Sequence, residues 1–335
     1  MRVSIFLILF VSSALPLFAQ THHALTGSRF AGSLGMYQQP ASTLSSVDTI
    51  DFALLSPQFS NYTNFIDFGY APLFKKNPEI NLQPTPGDME RDLITNINMQ
   101  LFGFKYKPTT KLAVGLGMNL RGILNVHTSH YIMSDSVTDI IQLFQQNKKS
   151  LPFKGNGLAS GWIEYVANTS YNLVDNRSFI LNIGTNLRMN RGLVGLVGAV
   201  DSLEYENYTY YGVDIFKITN EKFLYGYSTT ISTWDNTLTF KENVNRMMKK
   251  VKTGASLDIG TEILIKKDKD SDWFYEGLDY NYSWKLGLSV TDLGFTKYEY
   301  YPESATTAGM KPNMTPEVLV DKLLGLTSDV RSIND

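Results

Sequence analysis

The chain has 335 residues, a net charge of -2 and no cysteine. A near-neutral balance argues against a nucleic-acid partner, because phosphate binding needs a surplus of Lys and Arg. The missing cysteine excludes a disulfide scaffold, a thiolate metal site, a Cys nucleophile and a lipidated cysteine after a leader. Tyrosine is as common as phenylalanine, 19 of each, which suits membrane interfaces, where a ring wants an apolar body and a wet tip.

Residues 1–19 read as a secretory signal. Arg2 supplies the positive start, Val3 to Leu17 the apolar run, and Ala19 precedes Gln20 at the expected cleavage point. The alternative is an uncleaved anchor, but the run is shorter than the ~20 residues a helical span needs. No later stretch approaches a transmembrane helix. An exported chain that stays in a membrane must then cross it with strands closed into a barrel, the other structure that satisfies every backbone group in lipid.

Residues 20–46 are polar and glycine-punctuated and do not read as a strand. Val47 to Ala71 reads as a long strand with a bulge near Pro57. Residues 72–92 hold four of the twelve prolines and read as a loop. Leu93 to Tyr106 is a strand, and a short turn at 108–110 leads to Lys111–Leu124, the clearest pattern in the chain. There Leu112, Val114, Leu116, Met118 and Leu120 alternate with Ala113, Gly115, Gly117, Asn119 and Arg121. A period of two means a strand with one greasy and one polar face. A loop is expected at 127–157, with helical spacing inside it at 137–146.

The pattern recurs at 158–173, at 178–190 after a tight turn, and at 251–265. Between them the sequence suggests a glycine-rich loop at 191–203, a hairpin of 203–217 and 222–232, and a loop at 233–250. A charged turn at 266–272 precedes a last strand near 279–298, and the tail 299–335 is polar with weak helical spacing at 316–326. Short and long connections alternate, as in outer-membrane barrels with tight periplasmic turns and long external loops. The competing reading is a soluble sandwich or barrel with the greasy faces inward. Nine strands are counted, an odd number, and single-chain bacterial barrels have even numbers. The expected fold is therefore all-β: an antiparallel transmembrane β-barrel of outer-membrane type over 47–298, incomplete at its C-terminus, with 20–46 as a luminal plug.

Two stretches resemble a known group. Gly27 to Met36, followed by Gln39-Pro40-Ala41-Ser42, is similar to the start of FadL-like outer-membrane barrels, where a glycine-rich stretch and an Asn-Pro-Ala motif follow the leader; here Gln39 stands at the Asn. Lys285 to Tyr298, KLGLSVTDLGFTKY, resembles a segment of an uncharacterised Gram-negative barrel family related to the FadL and PorV group. The resemblance implies an integral outer-membrane barrel, of about fourteen strands. It also implies a plug by residues 20–46, with Gly32, Gly35, Pro40 and Ala41 as its motif. It implies no particular substrate.

The polar faces nominate Arg121, Arg188, Asn119, Glu164, Asp258 and Glu262 as residues lining the lumen, where mixed charge would set selectivity or hold the plug. The bland explanation is that any water-filled interior must be polar. Asp268 to Asp272 opens like a calcium loop, but Trp273 stands where Gly is required and Asp279 where Glu is required. Gly115-x-Gly117 lacks a third glycine and a following helix, so it is no dinucleotide fingerprint. No metal, cofactor or catalytic constellation is expected; a Ser hydrolase using His127 or His130 is the weakest alternative. The expected role is a FadL-like channel for small hydrophobic compounds in the outer membrane, matured by the barrel-assembly machinery. The alternative is an anchor or shuttle that binds a secretion or surface-attachment partner.

Overall fold

The computed structural model describes residues 28–68, 82–134, 140–148, 152–210, 213–235, 237–266, 282–302 and 306–308. A 3-10 helix, Gly32–Tyr37, and a single turn, α1 (Ser42–Ser45), precede β1 (Ile50–Thr63), β2 (Ile66–Phe68), β3 (Leu82–Pro84), β4 (Gly87–Thr109) and β5 (Leu112–Met133). Then come α2 (Ile140–Gln146), β6 (Phe153–Asp175), β7 (Phe179–Tyr210), β8 (Val213–Tyr227), α3 (Thr229–Ser232) and α4 (Phe240–Lys250). The order ends with β9 (Lys252–Lys266), β10 (Tyr282–Phe295) and β11 (Thr306–Ala308).

Apart from the β2–β3 hairpin, the strands form one antiparallel sheet curled into a half-barrel. β1, β4, β5, β6 and β7 follow one another across it. Their turns at 110–111 and 176–178 define a lower rim. β7 runs 32 residues and carries two partners end to end on one edge. Its first half pairs with β9, from Phe179↔Ile265 to Gly192↔Lys252. Its second half pairs with β8, from Leu196↔Tyr227 to Tyr210↔Val213. β8 and β9 are thus two halves of one descending strand, interrupted by α3 and α4. β10 pairs with β9 and β11 with β8, so the next, ascending strand is broken at the same height.

Alternation decides which face is which. On β6, Trp162, Glu164, Val166, Asn168, Ser170 and Asn172 are buried, while Tyr165, Ala167, Thr169, Tyr171 and Leu173 between them are exposed. β7 and β9 repeat this, with Asn182, Asn186, Arg188, Asp258 and Glu262 buried and Leu187, Met189, Ile259 and Ile263 exposed. The usual sidedness is inverted: the concave face is polar and covered by residues 28–49, and the convex face is greasy and open. Leu187 is 63% exposed, Leu288 73% and Trp284 67%. Among the described residues no helix is long and apolar enough to cross a membrane.

Several boundaries differ from those expected. The glycine-rich stretch 191–203 is strand, not loop, and 178–190 and 203–210 belong to one β7. Register shifts opposite Gly161/Trp162 and between Val200 and Ser202 insert extra residues and so hide the period of two. The hairpin does not turn near 219–220; those residues lie inside β8, beside a further register shift at Glu204/Tyr205. Residues 233–250, expected as a loop, contain α4. β4 begins at Gly87 and β5 ends at Met133, so the loops expected at 72–92 and 127–157 are partly strand. The irregularity expected near Pro57 falls at Leu55, which takes a left-handed φ of 47°. Pro57 itself pairs with Met99 on β1, where among the described residues its other edge is unpaired and a missing N–H costs nothing. The leader, the run 268–272 and the helical spacing at 316–326 lie outside the described residues.

Candidate functional site

The site is the contact between residues 28–49 and the concave polar face. An irregular segment laid on a sheet leaves carbonyls that need donors. Here the sheet's polar row supplies them. Asn186 donates to the Met36 carbonyl at 2.7 Å, Arg188 to Tyr37 at 3.0 Å and Ser289 to Gln38 at 2.7 Å. Asn168 donates to Pro40 at 3.2 Å and Ser170 to Ala41 at 2.9 Å. Gln39 returns a bond, Nε2 to the Thr261 carbonyl, at 3.0 Å. At the segment's end Lys105 Nζ reaches the Ser46 hydroxyl and the Asp48 carbonyl, and Lys285 Nζ meets the Ser45 hydroxyl at 3.2 Å.

Small residues let the backbones approach. A Cβ on Gly184 would collide with the Pro40 carbonyl and the Ala41 nitrogen. Gly117, part of the Gly-x-Gly pair noted in the sequence, lies under Tyr37, whose hydroxyl donates to the Phe102 carbonyl at 3.3 Å. Burial pushes the Tyr37 phenol well above its ordinary value; Arg188 pulls it back in part and Glu164 adds to the rise. Of the four motif residues, Gly32 takes a left-handed φ of 52° beside Asp51, and Gly35 is buried within the 3-10 helix. Pro40 and Ala41 form the contact over Gly184.

Four of the six nominated lining residues meet in one buried network. Arg188 donates through Nε to Asp258 Oδ2 at 2.8 Å and through Nη1 to Glu164 Oε2 at 2.9 Å. Arg121 reaches the other Glu164 oxygen at 3.0 Å and lies over the Trp162 ring, 5.2 Å from its centroid. Glu164 also accepts from Trp162 Nε1 at 2.8 Å, and Asp258 from Asn186 at 2.7 Å. Glu262 belongs to a separate pair: Lys285 Nζ lies 2.6 Å from its Oε1, in an ion pair off the hydrogen-bond axis. Asn119 is buried opposite Gln100 in the same inward row, and its Oδ1 finds no partner among the described residues.

The sequence reading missed Asp292. It sits where register shifts between Val290 and Leu293, with φ of 60°, a conformation Asp tolerates better than most residues. Its backbone N–H donates to Asp258 Oδ1 at 2.8 Å, and its carboxylate meets Arg121 at 2.7 Å and Arg188 at 3.4 Å. The available signal was the Asp-Leu-Gly run at 292–294. Tyr298 was also missed. Its ring covers Gly192 and Gly195 on the inner side of the strand break, and its hydroxyl shares a 2.5 Å hydrogen bond with Ser160.

Every carboxylate of the network is engaged by a cation or an N–H, which suits a clamp better than a reactive centre. Among the described residues no three His, Cys, Asp or Glu side chains converge as a metal site would require. A cleft lined by Leu44, Ser45, Lys111, Asn172 and Asn182 holds about 50 Å³, room for a water or two. The fold and the contact define a class: a curled antiparallel sheet, apolar outside, whose polar inner face is occupied by the chain's own N-terminal segment. Comparisons with family models, with curated proteins and with solved structures gave no match.

Proposed function

We propose that this chain is an integral outer-membrane β-barrel protein that admits small hydrophobic compounds, with residues 28–49 plugging the interior. The observation that carries the reading is the inverted sidedness: Asn186, Arg188, Asp258 and Glu262 buried, Leu187, Ile259 and Leu288 open. In water this arrangement exposes a large greasy surface at a cost of roughly 25 cal/mol per Å²; in lipid the same surface is matched to its solvent. The segment held by the inner row plays the part that the FadL resemblance assigns to it. The break shared by β8/β9 and β10/β11 reduces the regular strand pairing at one height to a few bonds from Ser228, Thr229 and Tyr301, where a compound could leave sideways. No covalent chemistry enters this role. The partners are outer-membrane lipid and the machinery that folds barrels into it.

The test is fractionation of the expressed chain followed by reconstitution. Recovery in the outer-membrane fraction, protease protection in vesicles and uptake of a hydrophobic dye are expected. A soluble, monomeric periplasmic product would overturn the reading. A second role, as an anchor for a secreted partner, is favoured by one observation: the second half of β7 and its partner β8 extend the sheet beyond the strand break. Insertion without dye uptake would select it.

A further inference from the structure

We propose that α4 is a cationic collar that binds the phosphate groups of membrane lipid at the upper margin of the greasy belt. This rests on the membrane reading above. The sequence 237–252 carries five cations, Lys241, Arg246, Lys249, Lys250 and Lys252, against one carboxylate, Glu242, in a chain whose net charge is -2.

The helix is presented rigidly. Thr239 and Glu242 form a capping box at its N-terminus. Buried Asn243 donates to the Asp235 and Leu238 carbonyls at 2.8 and 3.3 Å. Its inner face is Asn243, Val244, Met247 and Met248; Lys241, Glu242, Asn245, Arg246, Lys249 and Lys250 are exposed. Arg246 pairs with Asp235 at 3.5 Å and Lys252 with Glu299 at 2.8 Å, whereas among the described residues no carboxylate lies within ion-pair distance of Lys241, Lys249 or Lys250. An ordinary solvated face would mix signs more evenly.

The helix also stands on the convex side. Arg191 belongs to the outward row of β7, after Leu187 and Met189, and pairs in register with Thr253. Its guanidinium donates to the Met248 carbonyl at 3.5 Å, so the C-terminal end of α4 is outside the wall. The height fits as well. A strand tilted about 45° climbs about 2.3 Å per residue. From Phe179, level with Trp284 near the lower rim, the twelve steps to Arg191 climb about 28 Å, the thickness of a hydrocarbon core. Lysines at α4 therefore stand at headgroup level. An aromatic pair accompanies them: Trp234 and Phe240 meet edge-on at 6.1 Å, with Phe240 74% exposed. Rings and cations together at this depth are what an interface selects.

The experiment uses the full chain inserted in neutral phosphatidylcholine vesicles, with protease protection scored first. Binding of fluorescent diphosphorylated lipid A is then measured for the parent, for Lys241→Gln/Lys249→Gln/Lys250→Gln and for the corresponding triple Arg variant. The expected result is loss of about a hundredfold in affinity in the Gln variant, from roughly a fivefold effect for each of the three cations, with retention in the Arg variant. Equal binding by the Gln variant, or equal binding of dephosphorylated lipid A by the parent, overturns the collar while the barrel stands. Failure of the parent to insert at all overturns the membrane reading and the collar with it.

Discussion

Arg188 on β7 grips Asp258 on β9 through Nε at 2.8 Å, and the same guanidinium holds the Tyr37 carbonyl of the N-terminal segment at 3.0 Å. One side chain therefore ties two strands and the covering segment together. Removing it leaves buried Asp258 with no cation and Glu164 with Arg121 alone, and breaking a buried pair by deleting one partner costs about 3–5 kcal/mol. Arg188→Met should lower the unfolding free energy by that amount, read from denaturant unfolding of the protein in detergent. Arg188→Lys keeps the charge but cannot span Glu164, Asp258 and Tyr37 with one rigid fork, so it should recover only part of the loss. Equal stability of Arg188→Met and the parent would remove the network from any structural role.

Gly184 tests the segment independently of charge. A leucine there has no space, because the obstacle is the backbone of Pro40 and Ala41 rather than a flexible tip. Gly184→Leu should leave the strand content by circular dichroism intact while residues 28–49 become sensitive to limited proteolysis. In planar bilayers the same variant should conduct more than the parent if the segment blocks the interior.

The convex face answers to its solvent. Leu187 is open and lies on the outward row between Thr185 and Met189. Leu187→Arg in a lipid-facing position costs roughly 2–4 kcal/mol near mid-depth, so its insertion into vesicles should fall by one to three orders of magnitude. A protein living in water would tolerate the same change or gain solubility from it. The contrast between vesicle insertion and aqueous yield separates the two cases.

Much of the fold was legible because a period of two is a direct imprint of strand geometry. Leu112 to Arg121, Trp162 to Leu173, Phe179 to Asn190 and Lys252 to Ile265 alternate, with Val166, Ile180 and Leu264 as apolar members of the inward rows, and their other polar and greasy residues fall on the faces that the alternation implies. Legibility failed where an extra residue enters. The register shift at Gly161/Trp162 and that between Val200 and Ser202 each move the period by one, so 191–203 loses its alternation although it stays paired. The turn was placed at Thr219-Asn220 because those residues favour turns, but pairing across Glu204/Tyr205 keeps them in β8. In the site, Arg121, Glu164, Arg188 and Asp258 could be selected by face alone. Which of them touch depends on neighbouring strands and could not. Asp292 escaped because its position in a bulge takes it out of the alternating rows.

The capping box of α4 gives a pH-dependent prediction. The Glu242 carboxylate accepts from the Thr239 hydroxyl and from its backbone N–H at 2.7 and 2.9 Å. The Thr239 bonds hold its carboxyl below the ordinary value of 4.5. A carboxyl lowered in the folded state stabilises it fully above 4.5, and that contribution is lost as the pH falls through the lower folded value. Acidification below about 4.5 should therefore loosen α4, read as faster amide exchange in 240–250, while Glu242→Gln shows no such pH dependence in this range. Thr239→Ala removes the cap at every pH, at about 1 kcal/mol.

On the proposed channel reading, Tyr298 is the residue that tests sideways passage through the wall. Its ring lies across Gly192 and Gly195, where β9 has ended and β8 has not begun, and its hydroxyl is tied to Ser160 at 2.5 Å. At 195 the wall is bridged by the Ser228 N–H, which donates to the Gly195 carbonyl at 2.8 Å, and by the Gly195 N–H, which donates to the Ser228 hydroxyl at 3.1 Å, and the Tyr298 ring covers the inner side of this reduced pairing. Tyr298→Ala should raise uptake of a hydrophobic dye into vesicles several-fold and leave passage of a small hydrophilic solute unchanged. Tyr298→Phe keeps the ring and loses only the bond to Ser160, which is worth about 1 kcal/mol, and should lie between the parent and Tyr298→Ala. A rise in both solutes would mean that the route runs along the interior past residues 28–49 instead of through the break. No rise in either would remove Tyr298 from the path.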